Sequence, residues 1–204
     1  MPLRCRFLQQ SITLIGAKCL AFEDVLKSII QAQALLSRVA KDGKLNDWEP
    51  TFLSDGVGIT ASNRYFQHRE ETQPKDMISL DPEIDPHHVL SEAALGNYLH
   101  TVNNRVEYYE RVEGKEGVPR QENLSCRKLI AHMNMLVRFD IVSPSIFRPG
   151  DIVEAQVSLI TFPAKEVQSV MRLMLQSLAL LEGQFAQVCS TTFVNICGLF
   201  SYFW

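Results

Sequence analysis

Asp81, Glu83, Asp85, His87 and His88 place three carboxylates and two imidazoles within eight residues, a supply of ligands for a divalent cation. Their spacing argues against a metal centre. His87 and His88 are adjacent and would diverge on a helix, while Asp85 sits immediately before Pro86, where its carboxylate is better used to cap the free N–H groups of a first helical turn. A second group, Tyr98, His100, Arg105, Tyr108 and Arg111, joins aromatic rings to basic side chains. On one sheet face such residues stack on bases and contact phosphates of a single strand, although Glu107, Glu110 and Glu113 would repel the same phosphates.

Other chemistries have weaker sequence support. Gly56 and Gly58 in Asp55-Gly56-Val57-Gly58-Ile59-Thr60 lack the third glycine and the Lys-Ser/Thr pair of a phosphate loop, and read as turn glycines with positive φ. Cys126 and His132 stand six positions apart, off-face on a helix, and no G-x-S-x-G elbow is present. The sequence therefore assigns no catalytic, cofactor-binding or metal-binding residue.

The chain has 204 residues, 46% hydrophobic and 21% charged, enough for one core of ordinary size. Its net charge of −3, from 20 basic and 23 acidic residues spread along the chain, leaves no basic stripe for wrapping nucleic acid. The five cysteines are odd in number and widely spaced, which points to free thiols and an intracellular setting, cytoplasmic or nuclear.

Positioning elements can be read at several places. Residues 1–20 show no clear period and are expected to form a loosely ordered leader. Phe22, Val25, Leu26, Ile29, Ile30, Leu36 and Val39 recur at helical spacing and predict a helix over 21–41. Residues 51–77 read as loop and short helix, and 86–95 as a helix capped by Asp85 and ended by Gly96. Tyr98–Val102 and 105–112 flank Asn103-Asn104, which predicts a hairpin with asparagines in its turn. Residues 123–145 contain Leu129, Met133, Leu136 and Val137, suited to a short helix, then a strand ending near Ser143.

The clearest strand follows the Pro149-Gly150 turn. Val153, Ala155, Val157 and Leu159 alternate with Glu154, Gln156 and Ser158, as in a half-buried strand from 151 to 162. Residues 167–181 fit a helix through Val167, Val170, Met171, Met174, Leu175, Leu178 and Leu181, and a strand through Met171, Leu173, Leu175, Ala179 and Leu181. The strand is preferred because it would pair with 151–162. Residues 183–204 form an uncharged apolar tail, but Gln184, Gln187, Ser190, Thr191, Thr192 and Asn195 argue against a membrane span.

Two stretches carry a family resemblance: Leu80-Asp81-Pro82 through Tyr98-Leu99-His100-Thr101-Val102-Asn103-Asn104-Arg105-Val106-Glu107-Tyr108-Tyr109-Glu110-Arg111, and Phe147-Arg148-Pro149-Gly150-Asp151-Ile152-Val153-Glu154-Ala155-Gln156-Val157 to Ser177-Leu178-Ala179-Leu180-Leu181. They resemble uncharacterised proteins present in many copies in basidiomycete fungal genomes, over about half the chain. The resemblance implies no activity or cofactor. In it a short loop joins the two stretches, so 123–145 reads as an insertion here.

The expectation is a single α+β domain over 21–182, with two or three helices and an antiparallel sheet able to curl into a small barrel. Its expected function is non-enzymatic binding of a protein partner through a sheet face. The alternatives are single-stranded nucleic-acid binding by 98–111 and membrane association through the tail.

Overall fold

In the computed structural model, which describes residues 7–16, 19–39, 45–54, 56–80, 82, 84–93, 97–112, 138–163 and 169–183, the chain runs through ten strands and two α-helices. These are β1 (Gln9–Ile15), α1 (Leu20–Val39), β2 (Leu45–Asn46), β3 (Thr51–Leu53), β4 (Gly56–Arg64), β5 (Gln67–His68), α2 (Val89–Ala93), β6 (Tyr98–Leu99), β7 (Glu107–Val112), β8 (Arg138–Ile141), β9 (Ile152–Pro163) and β10 (Ser169–Glu182). The class is α+β with mostly antiparallel sheets. Among the described residues the sheets do not close into the barrel considered from sequence.

The β9–β10 hairpin is the spine of the larger sheet. Arg148-Pro149-Gly150-Asp151 closes a turn before it: Gly150 has φ 99°, and the Asp151 N–H donates to the Arg148 carbonyl at 3.1 Å. From there β9 buries Val153, Ala155 and Val157 on one face, as its alternation predicts. The stretch 167–181, open between helix and strand in the sequence, supplies β10, which pairs antiparallel with β9. A bulge at Gln176 shifts its phase, so the buried side chains are Met171, Leu173 and Leu175, then Leu178 and Leu180. Ala179 and Leu181, expected on the core face, are displaced by this extra residue. On its other edge β10 takes β2 and β7 as parallel neighbours, and β8 pairs antiparallel with β7.

A smaller sheet of β1, β4 and β3 lies against this one. Residues 9–15, expected within a loosely ordered leader, are its strand β1, paired along its length with β4. Thr51–Leu53 and Gly56–Arg64, within a stretch expected as loop and short helix, form β3 and β4. Serine, threonine and asparagine mask the period of β4, yet Ile59, Ala61 and Asn63 point inward while Thr60 and Arg64 stay exposed. Gly56, with φ 134°, is in the turn conformation read from sequence, whereas Gly58 is a mid-strand residue.

α1 lies where the sequence predicts a helix and sends Phe22 and Ile29 into the core formed by Leu14, Ile59, Val106, Val157, Leu173 and Leu175, with Val25, Leu26 and Leu36 packed at its edge, whereas Ile30 and Val39 of the expected stripe are exposed. A second cluster gathers Leu8, Tyr65, Leu80, Leu90 and Tyr98 around Phe66. α2 begins at Val89, later than the expected start at 86. His88 takes φ 55°, which breaks helical geometry just ahead of Val89, yet Asp85 still caps: its carboxylate accepts from the N–H groups of Leu90 at 3.0 Å and Ser91 at 2.8 Å, and from the Ser91 hydroxyl at 2.7 Å. The expected exit at Gly96, the helix within 123–137 and the tail 184–204 lie outside the described residues. Arg138–Ile141, inside the stretch read as an insertion, belongs to the sheet.

The expected hairpin over 98–112 does not form. β6 pairs with β5, β7 pairs with β10 and β8, and Val102–Asn104 makes a 3-10 turn in which Asn104 is buried and accepts from the Thr101 hydroxyl at 2.7 Å. A turn stabilised by that side-chain bond does not reverse the chain.

Candidate functional site

An open cleft of about 310 Å³ lies between residues 78–84 and the β7–β8 end of the larger sheet. Three anchors hold its first wall. The Ile78 N–H donates to the His100 carbonyl at 3.1 Å, Met77 bridges Thr101, and Leu80 packs into the Phe66 cluster. The second wall is Val106, Tyr108 and Tyr109, continued by Ile141 and Val142, and the Val142 N–H donates to the Tyr108 carbonyl at 3.0 Å. Pro144 closes one end from a 3-10 turn capped by Ser143.

Apolar side chains thus supply most of the surface, with Ile141 63% exposed at the rim. The polar side chains are those of Ser79, His100, Arg105, Glu107 and the two tyrosines. The Arg105 guanidinium lies 3.9 Å from the Glu107 carboxylate, and both side chains are half-exposed, so the pair is loosely held. His100 is only 8% exposed. Its Nδ1 lies 2.7 Å from the Tyr65 carbonyl, an oxygen that can only accept, so Nδ1 carries the proton and donates. Burial, helped by the charge of Arg105, pushes the imidazole pKa down against the opposing effect of the Tyr65 carbonyl. At neutral pH His100 is therefore uncharged.

Tyr108 connects the cleft to the joint between the sheets. Its hydroxyl donates to Gln10 Oε1 at 3.0 Å, and burial, followed by the influence of Tyr65, pushes its pKa up to about 12. Gln10 Nε2 in turn donates to the Asn104 carbonyl at 3.1 Å. Opposite Gln10 on β4, Asn63 donates to the carbonyls of Asn103 at 2.9 Å and Leu175 at 3.1 Å. This buried polar network fixes the cleft's back wall.

Of the five residues proposed from sequence, the fold brings His100, Arg105 and Tyr108 together in the cleft. Tyr98 lies elsewhere, in the Phe66 cluster with its ring edge-on to His68 at 5.5 Å, and Arg111 is exposed on β7 opposite Phe139. The flat stacking face that the hairpin would have offered is absent from the described residues. The sequence reading missed Ile78, Leu80, Ile84, Val106, Ile141 and Val142, because isolated apolar residues in short irregular segments carry no period.

The acidic and histidine cluster around α2 is committed to structure at Asp85, whose carboxyl is held below the ordinary range. Burial alone would raise it, and the bonds from Ser91 and Leu90, with the charge of His88, outweigh that. Asp81, Glu83, Cys126 and His132 lie outside the described residues, among which no three His, Cys, Asp or Glu gather as a metal site. No helix among the described residues is long and apolar enough to cross a membrane. Comparisons of the chain with protein-family profiles, with curated proteins and with solved structures find no match.

Proposed function

We propose that this protein is a binding module that holds a small, largely apolar ligand, or an apolar side chain of a protein partner, in the cleft beside β7 and β8. The observation that carries the reading is the composition of the cleft: a concave surface of about 310 Å³ in which apolar side chains are the larger part and polar groups, His100 among them, converge, a common form of a ligand site. We take the sheet-face binding expected from sequence to one end of one sheet. The joint network holds the back wall in place, and a preformed wall lowers the ordering cost of binding.

The test is a fluorescence titration of the full chain with N-phenyl-1-naphthylamine, a neutral probe that brightens in apolar surroundings. Saturable binding that weakens about tenfold or more in Ile141→Lys, a rim change that leaves the core intact, supports the reading. Absence of binding, or binding indifferent to Ile141→Lys, overturns it.

A further inference from the structure

Resting on that reading of the cleft, we infer that His100 is its ligand-orienting hydrogen-bond acceptor, so that the site takes neutral, mainly apolar molecules carrying one N–H or O–H donor. His100 is buried to more than nine-tenths, lines the cleft, and spends Nδ1–H on the Tyr65 carbonyl. The imidazole's other nitrogen, Nε2, then has a lone pair and no proton. No described residue bonds it, yet no fully buried side-chain nitrogen or oxygen among the described residues lacks a partner. Nε2 is therefore a part of this buried ring that still reaches open space, and His100 lines this cleft.

Its neighbours sharpen the selectivity. Phe66 stacks edge-on against the ring at 6.4 Å and fixes its plane. The Tyr108 hydroxyl donates to Gln10, and the Arg105–Glu107 pair lies on the half-exposed side of the cleft, so the buried ring of His100 presents an acceptor without charge. A ligand donor meeting Nε2 gains a bond in partly apolar surroundings, whereas an isosteric ligand lacking that donor leaves the lone pair desolvated and unmatched. The downward shift of the His100 pKa keeps that acceptor available at neutral pH.

The experiment compares N-phenyl-1-naphthylamine, which has one N–H, with its N-methylated analogue, which has none, on the full chain and on His100→Phe. The wild type should prefer the N–H probe by about tenfold, and His100→Phe should bring the two within about twofold. Equal binding of both probes to the wild type overturns the role of His100 while the cleft reading stands, as does a preference that survives His100→Phe. Binding of neither probe removes both. Because His100→Phe also loses the bond to Tyr65, the wild type is read independently by ¹⁵N NMR of the imidazole: the Nε2 resonance should move upfield with the N–H probe and stay in place with the methylated one, and no difference between the two overturns the inference.

Discussion

The hydroxyl of Tyr108 on β7 donates to the side-chain carbonyl of Gln10 on β1 at 3.0 Å, a bond between residues 98 positions apart that ties the smaller sheet to the wall of the cleft. Tyr108→Phe removes the donor and leaves Gln10 Oε1 unmatched in a part-buried site, a loss of about 1–2 kcal/mol in urea unfolding. Asn63→Ala strips donors from both the Asn103 and Leu175 carbonyls and should cost about 1–3 kcal/mol. A change under a few tenths of a kcal/mol in both would show the joint to be energetically idle.

The same phenol should titrate late. Its pKa in the folded protein is pushed up to about 12, above the ordinary value near 10. A raised acid favours the fold while the group stays protonated, so this contribution is whole below pH about 10 and is lost as pH climbs toward 12. Alkaline difference absorbance should show late phenolate formation together with unfolding, to which Tyr65, whose pKa burial also raises, contributes as well. A Tyr108→Phe variant should show a smaller late step.

His100 gives the opposite sign at the acidic end. Its pKa is lowered in the fold, so the unfolded chain takes up the proton first, and stability should fall as pH drops below the ordinary histidine value of about 6.5. Above that value both states are neutral and nothing is lost. Urea midpoints measured between about pH 7.5 and 5.5 should decline more in the wild type than in His100→Gln. Parallel declines would place the acid sensitivity elsewhere.

The bulge at Gln176 explains why β10 was hard to read. Burial at Met171, Leu173 and Leu175 has period two, but the step from Leu175 to Leu178 spans three residues, which mimics one turn of a helix. β9, opposite it and free of extra residues, was legible from its alternation alone, as was α1 from its apolar stripe. β1 was obscured, and β7, legible as a strand within 105–112, was given the wrong partner, for a different reason: their partners, β4 and β10, lie far along the chain, and nothing local marks a distant pairing. The Asn103-Asn104 pair looked like a hairpin turn because its chemistry suits one. Its actual role, a buried bond from Thr101 to Asn104, depends on a tertiary setting. The same limit applies to the cleft, where His100, Arg105 and Tyr108 were singled out by type but their apolar surroundings were not.

Deleting Gln176 should therefore be tolerated about as well as replacing it. Removal leaves Leu175 and Leu178 two positions apart, so that strict alternation keeps Leu178 and Leu180 on the core face without the bulge. Gln176→Ala keeps the count of residues and should also change the unfolding midpoint little. A loss of about 1.5–3 kcal/mol on deletion, the cost of exposing one buried leucine, would contradict the proposed phase shift.

Asp85→Ala should free the N–H groups of Leu90 and Ser91 and cost about 0.5–2 kcal/mol. Because the Asp85 pKa is lowered, its contribution is present above the ordinary carboxylate value of about 3.9 and fades as pH falls through the folded value, so the variant and wild type should converge in acid.

The most direct measurement is a methyl-resolved NMR titration of the full chain with N-phenyl-1-naphthylamine. Binding in the cleft predicts saturable shifts concentrated on the methyl groups of Ile78, Leu80, Val106, Ile141 and Val142. Shifts concentrated instead on the exposed Leu20, Ile30 and Leu35 of α1, or no saturable shifts, would contradict it.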